Sequence, residues 1–355
     1  MLSEFLGKAR HLRYFSRFCA GQRNEASTAA VSQSRLIEIL KSKLRKIATA
    51  IISSLVCVSI LFGADLYLHH KHSVNIWGYR GPVVGQKQSR EKRVAVLGGS
   101  TTWGFGLRAG QDFPAQLQRF FAASQNEKID VLNLGFNGEG AHSFTQTLND
   151  YDYLDIDLVV LYSGYNDLGS PNYYNFRHRS PIFAATGYLP LLPSFTVDKL
   201  IAWKSKLMGE NDRVVFSPPH LDQQNDSPPP RGRLGTLNGR APEDVTPGPA
   251  SCSPEWQFYC DRISAAADLA LGKGKQVLIV GEPYLTDQHV IQQQELQNLL
   301  SLRFASQPRL RYIDLGRTVD LRDQSLCWDG MHLTEEGNRR IATALSRPVL
   351  EMFRR

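Results

Sequence analysis

The chain has 355 residues, of which 42% are hydrophobic, and this is enough for one large folded domain or two small ones. Its formal net charge of +7 arises in residues 1–46, where ten Lys and Arg outnumber three Glu, and the rest of the chain holds 31 basic and 31 acidic residues. Because the body of the protein is neutral, the charge does not indicate a nucleic-acid partner.

An uncharged, proline-free segment follows the basic arm. Residues 47–64 would span about 27 Å as a helix, close to the thickness of the hydrocarbon core of a bilayer. The basic residues within twenty positions of it are Arg35, Lys41, Lys43, Arg45 and Lys46 before it, and Lys71 and Arg80 after it. The positive-inside rule therefore predicts a cytoplasmic arm (1–46), a single signal-anchor helix through the cell membrane (47–68) and an extracytoplasmic remainder, periplasmic or at the cell surface.

Residues 69–92 are predicted as a polar linker. Its histidines, His69, His70 and His72, lie at the expected membrane boundary, and we predict no metal site there.

Strand and helix patterns then alternate along a domain that spans 93–355. Apolar strands are predicted at 94–97, 130–133, 158–162, 277–280 and 311–313. Helices are predicted at 112–124, 143–153, 254–271, 287–304 and after Thr334, the last with a bend near Pro348. This alternation predicts an α/β fold with a parallel sheet and helices on both faces.

An insertion at 170–253 interrupts the alternation. Its first half is aromatic and apolar, which fits a cap over a site, a surface that lies on the membrane, or a segment that packs on the core. Its second half, 209–253, is rich in Pro, Asp, Asn and Gly and is predicted to be a disordered loop.

Five cysteines divide along the predicted topology. Cys19 is expected in the cytoplasm and Cys57 in the membrane, whereas Cys252, Cys260 and Cys327 are expected where disulfides persist. Three cysteines allow at most one pair, and Cys327 could join either of the other two. A pair of Cys260 with Cys327 would fix the segment around Asp329.

Glycines crowd around a serine in the segment LGGSTTWGFG, residues 97–106. No lysine follows these glycines, so the segment is not a phosphate-binding P-loop. Gly104 to Ala109 matches G-x-G-x-x-A but begins seven residues after the strand ends at Leu97, so no dinucleotide or other cofactor is predicted. Gly104 and Gly106 are interpreted as flexible positions before the next helix. Ser100, at the carboxyl edge of the predicted sheet, is the candidate nucleophile.

A serine hydroxyl needs a neighbouring base, and the segment CWDGMHLT supplies His332 three residues after Asp329. Loops after the second and third strands supply Gly138 and Asn166, whose backbone and side-chain N–H groups could stabilise an oxyanion. These residues follow strands one, two, three and five, so a single crevice would gather them.

Four motifs, LGGSTTWG, NLGFNGEG, GYND and DGMH, resemble in order the four blocks of the SGNH (GDSL-type) hydrolases over residues 93–350. The resemblance implies a flavodoxin-like, five-stranded parallel sheet of order 2-1-3-4-5. It also implies that Ser100 attacks an acyl carbonyl, that His332 acts as base and then acid, and that Asp329 orients His332. The Ser100 N–H, the Gly138 N–H and the Asn166 amide would hold the oxyanion. One departure is Gly99, where relatives usually carry Asp.

The resemblance predicts an esterase without cofactor or metal that acts on O-acyl groups of an envelope polysaccharide or on lipid esters. An O-acyltransferase that delivers the acyl group to a sugar hydroxyl is an alternative, since both reactions share an acyl-enzyme. A non-catalytic binding protein of the envelope is the other alternative. Acyl-chain length, leaving group and oligomeric state are not predicted.

Overall fold

The computed structural model describes residues 3–123, 128–168, 171–173, 177–193 and 251–354, together with residues 196 and 200, with side chains from residue 38 onward. The predicted disordered loop at 209–253 lies almost wholly outside the described residues. The chain divides into two units, Met1–Ala64 and Asp65–Arg355.

The described residues of the first unit form a single long helix, α1 (Ser3–His72), which continues past Ala64. The stretch Glu38–His72 is long and apolar enough, by length and composition alone, to cross a membrane, and it is the only such helix among the described residues. Large apolar side chains such as Ile51, Leu55 and Ile60 are more than half exposed along it.

The second unit is built on five parallel strands: β1 (Lys92–Leu97), β2 (Ile129–Asn133), β3 (Leu158–Ser163), β4 (Gln276–Gly281) and β5 (Leu310–Asp314). Their order in the sheet is 2-1-3-4-5, which confirms the predicted fold class. All six residues of β3 are buried, as expected for a central strand covered on both faces.

Helices cover both faces of the sheet. They are α2 (Ser100–Trp103), α3 (Phe113–Ala122), α4 (Ala141–Asp150), α5 (Pro181–Thr186), α6 (Gln257–Gly272), α7 (Asp287–Arg303) and α8 (Glu335–Phe353). Helices α3 and α8 pack on one core with one face of the sheet, and α4, α6 and α7 pack on the other. Two of these helices begin at side-chain caps, since the side chain of Asp112 accepts from the N–H of Ala115 and that of Thr334 from the N–H of Gly337.

The segment 69–92 differs from the polar linker predicted for it. Val74 and Tyr79 are buried in the core of the second unit, and Arg80 is only 5% exposed. The backbone N–H of Arg80 donates to the carbonyl of Asn133, so the segment covers part of the free edge of β2. The sequence does not indicate that this segment packs on the core, because its buried residues are spaced irregularly among polar ones.

The disulfide joins Cys252 to Cys260, whose Cα atoms are 6.5 Å apart. Both pairings that would have involved Cys327 are therefore wrong. Cys327 is buried with a free thiol, and burial raises its pKa to about 11, so it is a neutral core group. The bond closes a short loop at the start of α6, where the described chain resumes after the insertion.

Candidate active site

The loop that carries Ser100, the candidate nucleophile, begins where β1 ends, and residues 98–107 are called the nucleophile loop below. Gly98 and Gly99 turn the chain so that α2 starts directly at Ser100, which is partly exposed at the carboxyl edge of the sheet. A Cβ on Gly98 would lie 2.1 Å from Oγ1 of Thr102 and 2.5 Å from the carbonyl oxygen of Tyr162. The turn is therefore possible only because residue 98 has no side chain.

Ser100, His332 and Asp329 form one hydrogen-bonded chain. Nε2 of His332 lies 2.9 Å from Oγ of Ser100, and Nδ1 lies 2.6 Å from Oδ2 of Asp329. The other oxygen of Asp329 accepts from the backbone N–H groups of Met331 and His332, at 2.9 and 2.7 Å. The carboxylate is thus fixed by its own turn and faces one imidazole nitrogen.

The protonation of this chain follows from its partners. Burial alone would raise the pKa of Asp329, but the hydrogen bonds from His332 and from the Met331 N–H outweigh it and hold the pKa below the usual range. An anionic Asp329 requires a proton on Nδ1 of His332, which leaves Nε2 free to accept from the Ser100 hydroxyl. Such a chain can remove the serine proton as the oxygen attacks an electrophile.

Asn166 lies beside the nucleophile loop. Its Nδ2 donates to the carbonyl of Glu139 at 2.9 Å, and a Cβ built on Gly99 would lie only 2.0 Å from the same nitrogen. The absence of a side chain at residue 99 therefore makes room for the Asn166 amide.

Gly138 lies in the turn after β2 with φ of +76°, a left-handed conformation that suits glycine. Its carbonyl accepts from Nδ2 of Asn172 at 3.0 Å, so the beginning of the insertion touches this turn. The carbonyl oxygen of Glu139, the next residue, lies 2.9 Å from a Cβ built on Gly99. The turn that carries Gly138 thus adjoins both the nucleophile loop and Asn166.

An ion pair that the sequence did not predict supports this turn. Arg177, from a short 3-10 turn in the insertion (Arg177–Arg179), donates to Glu139 at 2.8 Å, and both side chains are about 1% exposed. Arg177 also donates to the carbonyl of Leu134 and lies between the rings of Phe136 and Tyr151. Burial alone would lower the pKa of Arg177, but Glu139 outweighs this and raises it above its usual value. This part of the insertion packs on the core.

Arg80 supports the nucleophile loop from the other side. Its guanidinium donates to the carbonyls of Trp103 and Leu107 at 2.8 and 2.6 Å, and Nε lies 3.5 Å from Asp112. The guanidinium stacks over the ring of Trp103. The loop that follows α2 is therefore anchored by a residue from the segment predicted as a linker.

Gly106 has a packing role and is not a flexible position as interpreted from the sequence. Its φ is +76°, and a Cβ there would lie 1.5 Å from the ring of Trp328. Trp328 immediately precedes Asp329, and the ring of Phe105 packs against that of His332 with centroids 4.5 Å apart. The glycine thus allows the two loops that carry Ser100 and His332 to meet.

Two buried carboxyl groups lie beside the site and were also not predicted. Glu282 follows β4, and Asp167 follows Asn166. Burial is the main cause that raises the pKa of each to about 7. A single Glu or Asp in a loop has no pattern that distinguishes it from a solvated residue, so only the tertiary contacts reveal them.

The sheet order and the polar loops at its carboxyl edge define an α/β protein of the SGNH class. The family model for GDSL-like lipase/acylhydrolase matches residues 94–345, more than half of the chain, and the protein belongs to that family. This confirms the resemblance carried by the four motifs. Family membership supports an esterase or acylhydrolase activity.

Several solved structures are similar to the chain. A lipase/acylhydrolase from Enterococcus faecalis is 15% identical with a TM-score of 0.41, and the match covers 73% of this chain and 95% of that chain. A family 3 carbohydrate esterase from Clostridium thermocellum is 15% identical with a TM-score of 0.41, covering 74% and 98%. An acetyl xylan esterase from Geobacillus stearothermophilus is 14% identical with a TM-score of 0.38, covering 72% and 93%. No curated protein matches the chain.

Proposed function

We propose that the protein hydrolyses carboxylic esters through an acyl-enzyme on Ser100. The observation that carries the proposal is the hydrogen-bonded chain from Ser100 through His332 to Asp329, at 2.9 and 2.6 Å. Family membership supports the same class of reaction. The substrate is an O-acyl group on an envelope polysaccharide or an ester of a lipid.

In the first half-reaction, Oγ of Ser100 attacks the acyl carbonyl carbon while Nε2 of His332 takes the serine proton. The negative charge moves to the carbonyl oxygen, which the N–H groups of Ser100 and Gly138 and the amide of Asn166 stabilise. Collapse of this intermediate breaks the ester bond, and His332 gives its proton to the leaving alkoxide. Asp329 keeps the imidazole in the required tautomer and stabilises the imidazolium.

In the second half-reaction, water attacks the acyl-enzyme and His332 takes one of its protons. The tetrahedral intermediate then releases the carboxylic acid, and the proton returns to Ser100. A sugar hydroxyl in place of water would give acyl transfer by the same steps. The two outcomes are separated by product analysis with and without a polyol acceptor.

The test of the nucleophile uses the full chain in detergent micelles and a fluorescent fluorophosphonate. Wild type and a Ser301→Ala control, in which an exposed serine of α7 is removed, should be labelled, and Ser100→Ala should not. Hydrolysis of p-nitrophenyl acetate should follow the same pattern. A folded wild-type protein that shows no labelling dependent on Ser100 would instead favour a non-catalytic envelope binding protein.

We also propose that the domain after residue 68 is extracytoplasmic and anchored by the helix 47–68. The excess of basic residues before the apolar segment supports this orientation. A cysteine placed at Ser301 should react with a membrane-impermeant maleimide in intact spheroplasts, and Cys19 should react only after permeabilisation. The reverse labelling pattern would overturn the orientation.

A further inference from the structure

Four of the five strands carry one of the predicted blocks at their carboxyl ends, and β4 does not. The residue at that end is Glu282, directly after Gly281. Ser163, the last residue of β3, is paired in register with Gly281, so Glu282 lies next to the loop that carries Asn166. Its side chain is only 2% exposed.

Each carboxylate oxygen of Glu282 accepts a hydrogen bond from a residue adjacent in sequence to a site residue. Oε1 accepts from the hydroxyl of Thr101 at 2.5 Å, and Thr101 follows Ser100. Oε2 accepts from the backbone N–H of Tyr165 at 2.8 Å, and Tyr165 precedes Asn166. One buried group therefore connects the nucleophile loop to the loop of a candidate oxyanion donor.

We propose that Glu282 is a positioning residue that sets the distance between Ser100 and Asn166, an inference that rests on the proposed function. Oxyanion stabilisation depends on donors that are held in place before the charge develops, and a misplacement of about 1 Å can reduce rates about 100-fold. One of its hydrogen bonds comes from Thr101, in the loop after β1, and the other comes from Tyr165, in the loop after β3. Both loops are thereby tied to the carboxyl end of β4. These hydrogen bonds restrict the relative movement of the two loops.

The surroundings of Glu282 distinguish this role from a general contribution to the core. Both donors are neutral, and a buried carboxyl with neutral partners is costly to hold, with burial raising its pKa to about 7. The nearby carboxyl of Asp167 contributes to this increase in pKa, which the hydrogen bonds from Thr101 and Tyr165 partly offset. The hydroxyl of Tyr165 donates to the carbonyl of Pro283, which tethers the same loop to the same strand end.

The variants are Glu282→Ala, Glu282→Gln and Thr101→Val, each as the full chain in detergent. Glu282→Ala removes both links and should lower kcat for p-nitrophenyl acetate and the rate of fluorophosphonate labelling by about 10- to 100-fold, with KM changed little. In Glu282→Gln the amide can accept from Tyr165 and donate to Thr101, so both rates should recover most of the loss. Thr101→Val keeps the shape and removes one link, and its effect should largely disappear in the Glu282→Ala background.

Glu91→Ala is the matched control. Glu91 is a buried carboxylate that pairs with Arg93 at the opposite end of β1, so its loss should lower stability and leave kcat per folded molecule unchanged. If folded Glu282→Ala and Thr101→Val kept wild-type kcat and labelling rates while wild type was labelled at Ser100, the positioning role would be overturned and the proposed function would stand. A wild type without Ser100-dependent labelling would overturn both.

Discussion

Gly99 adjoins a candidate oxyanion donor, Asn166, and a single methyl group at residue 99 should lower activity while stability changes little. In Gly99→Ala the new Cβ would lie 2.0 Å from Nδ2 of Asn166, whereas real Cβ atoms essentially never approach another heavy atom closer than 3.0 Å. The amide must therefore move by at least ~1 Å. The amide is the end of a flexible side chain, and the carbonyl oxygen of Glu139, 2.9 Å from the same Cβ, needs to yield by only about 0.1 Å, so we expect the fold to be retained.

The same movement should lower the catalytic rate strongly. Displacement of the amide breaks its 2.9 Å hydrogen bond to the carbonyl of Glu139 and removes the donor from the neighbourhood of Ser100. Loss of one oxyanion donor lowers kcat by about 10²–10³-fold in enzymes of this chemical type. We expect Gly99→Ala to lose activity by that factor while the unfolding temperature stays close to that of wild type.

The measurements are kcat for p-nitrophenyl acetate, the rate of fluorophosphonate labelling and thermal unfolding of the full chain in detergent. Gly85→Ala is the matched control, because a Cβ there meets nothing within 4 Å and both activity and stability should be unchanged. Since the loss acts through the amide, Gly99→Ala should have little further effect in an Asn166→Ala background. A folded Gly99→Ala protein with wild-type labelling and kcat would refute the reasoning.

Four further predictions concern the groups around the site. Asp329→Asn should lower kcat about 10³–10⁴-fold in steady-state ester hydrolysis, because the amide favours the wrong imidazole tautomer. Arg177→Met should destabilise the protein by about 3 kcal/mol in urea unfolding, because it leaves Glu139 buried and unpaired. Asp167 has its pKa raised to about 7, so its stabilising contribution is full below about pH 4 and is lost as the pH rises through 7. When unfolding is measured at pH 5 and at pH 8, the free energy of unfolding of wild type should fall by about 3 kcal/mol more than that of Asp167→Asn. Cys252→Ser should lower stability by about 2 kcal/mol, and dithiothreitol should destabilise wild type but not the variant.

The sheet could be predicted because its signal is local. A short apolar run such as 158–162, which lies between Asp157 and Ser163, leaves few alternatives to a buried strand, and caps such as Thr334 mark where a helix begins. The parallel order of the strands then brings their carboxyl ends together. Ser100 and His332, separated by 232 positions, meet for that reason.

The supports of the site could not be predicted, because each depends on one long-range contact. Arg177 lies 38 positions from Glu139, and Glu282 lies 181 positions from Thr101, with no repeated spacing between the partners. Charged residues are mostly solvated, so a lone Arg or Glu in a loop indicates a surface until its burial is known. The disulfide illustrates the same limit, since three cysteines allow three pairs and only the fold selects Cys252 with Cys260.

These supports come from outside the four motifs, and this has a consequence for how the site can vary. Arg80 precedes the sheet, Arg177 belongs to the insertion and Glu282 follows the one strand without a motif, yet each hydrogen-bonds the loop or turn beside a site residue. Effects of substitutions are not additive among groups in contact, so a side chain at residue 99 would be accommodated only with changes at its own neighbours, Asn166 and the turn of Glu139. The glycine at 99 is therefore better understood as one part of a local arrangement with Asn166 than as a missing carboxylate.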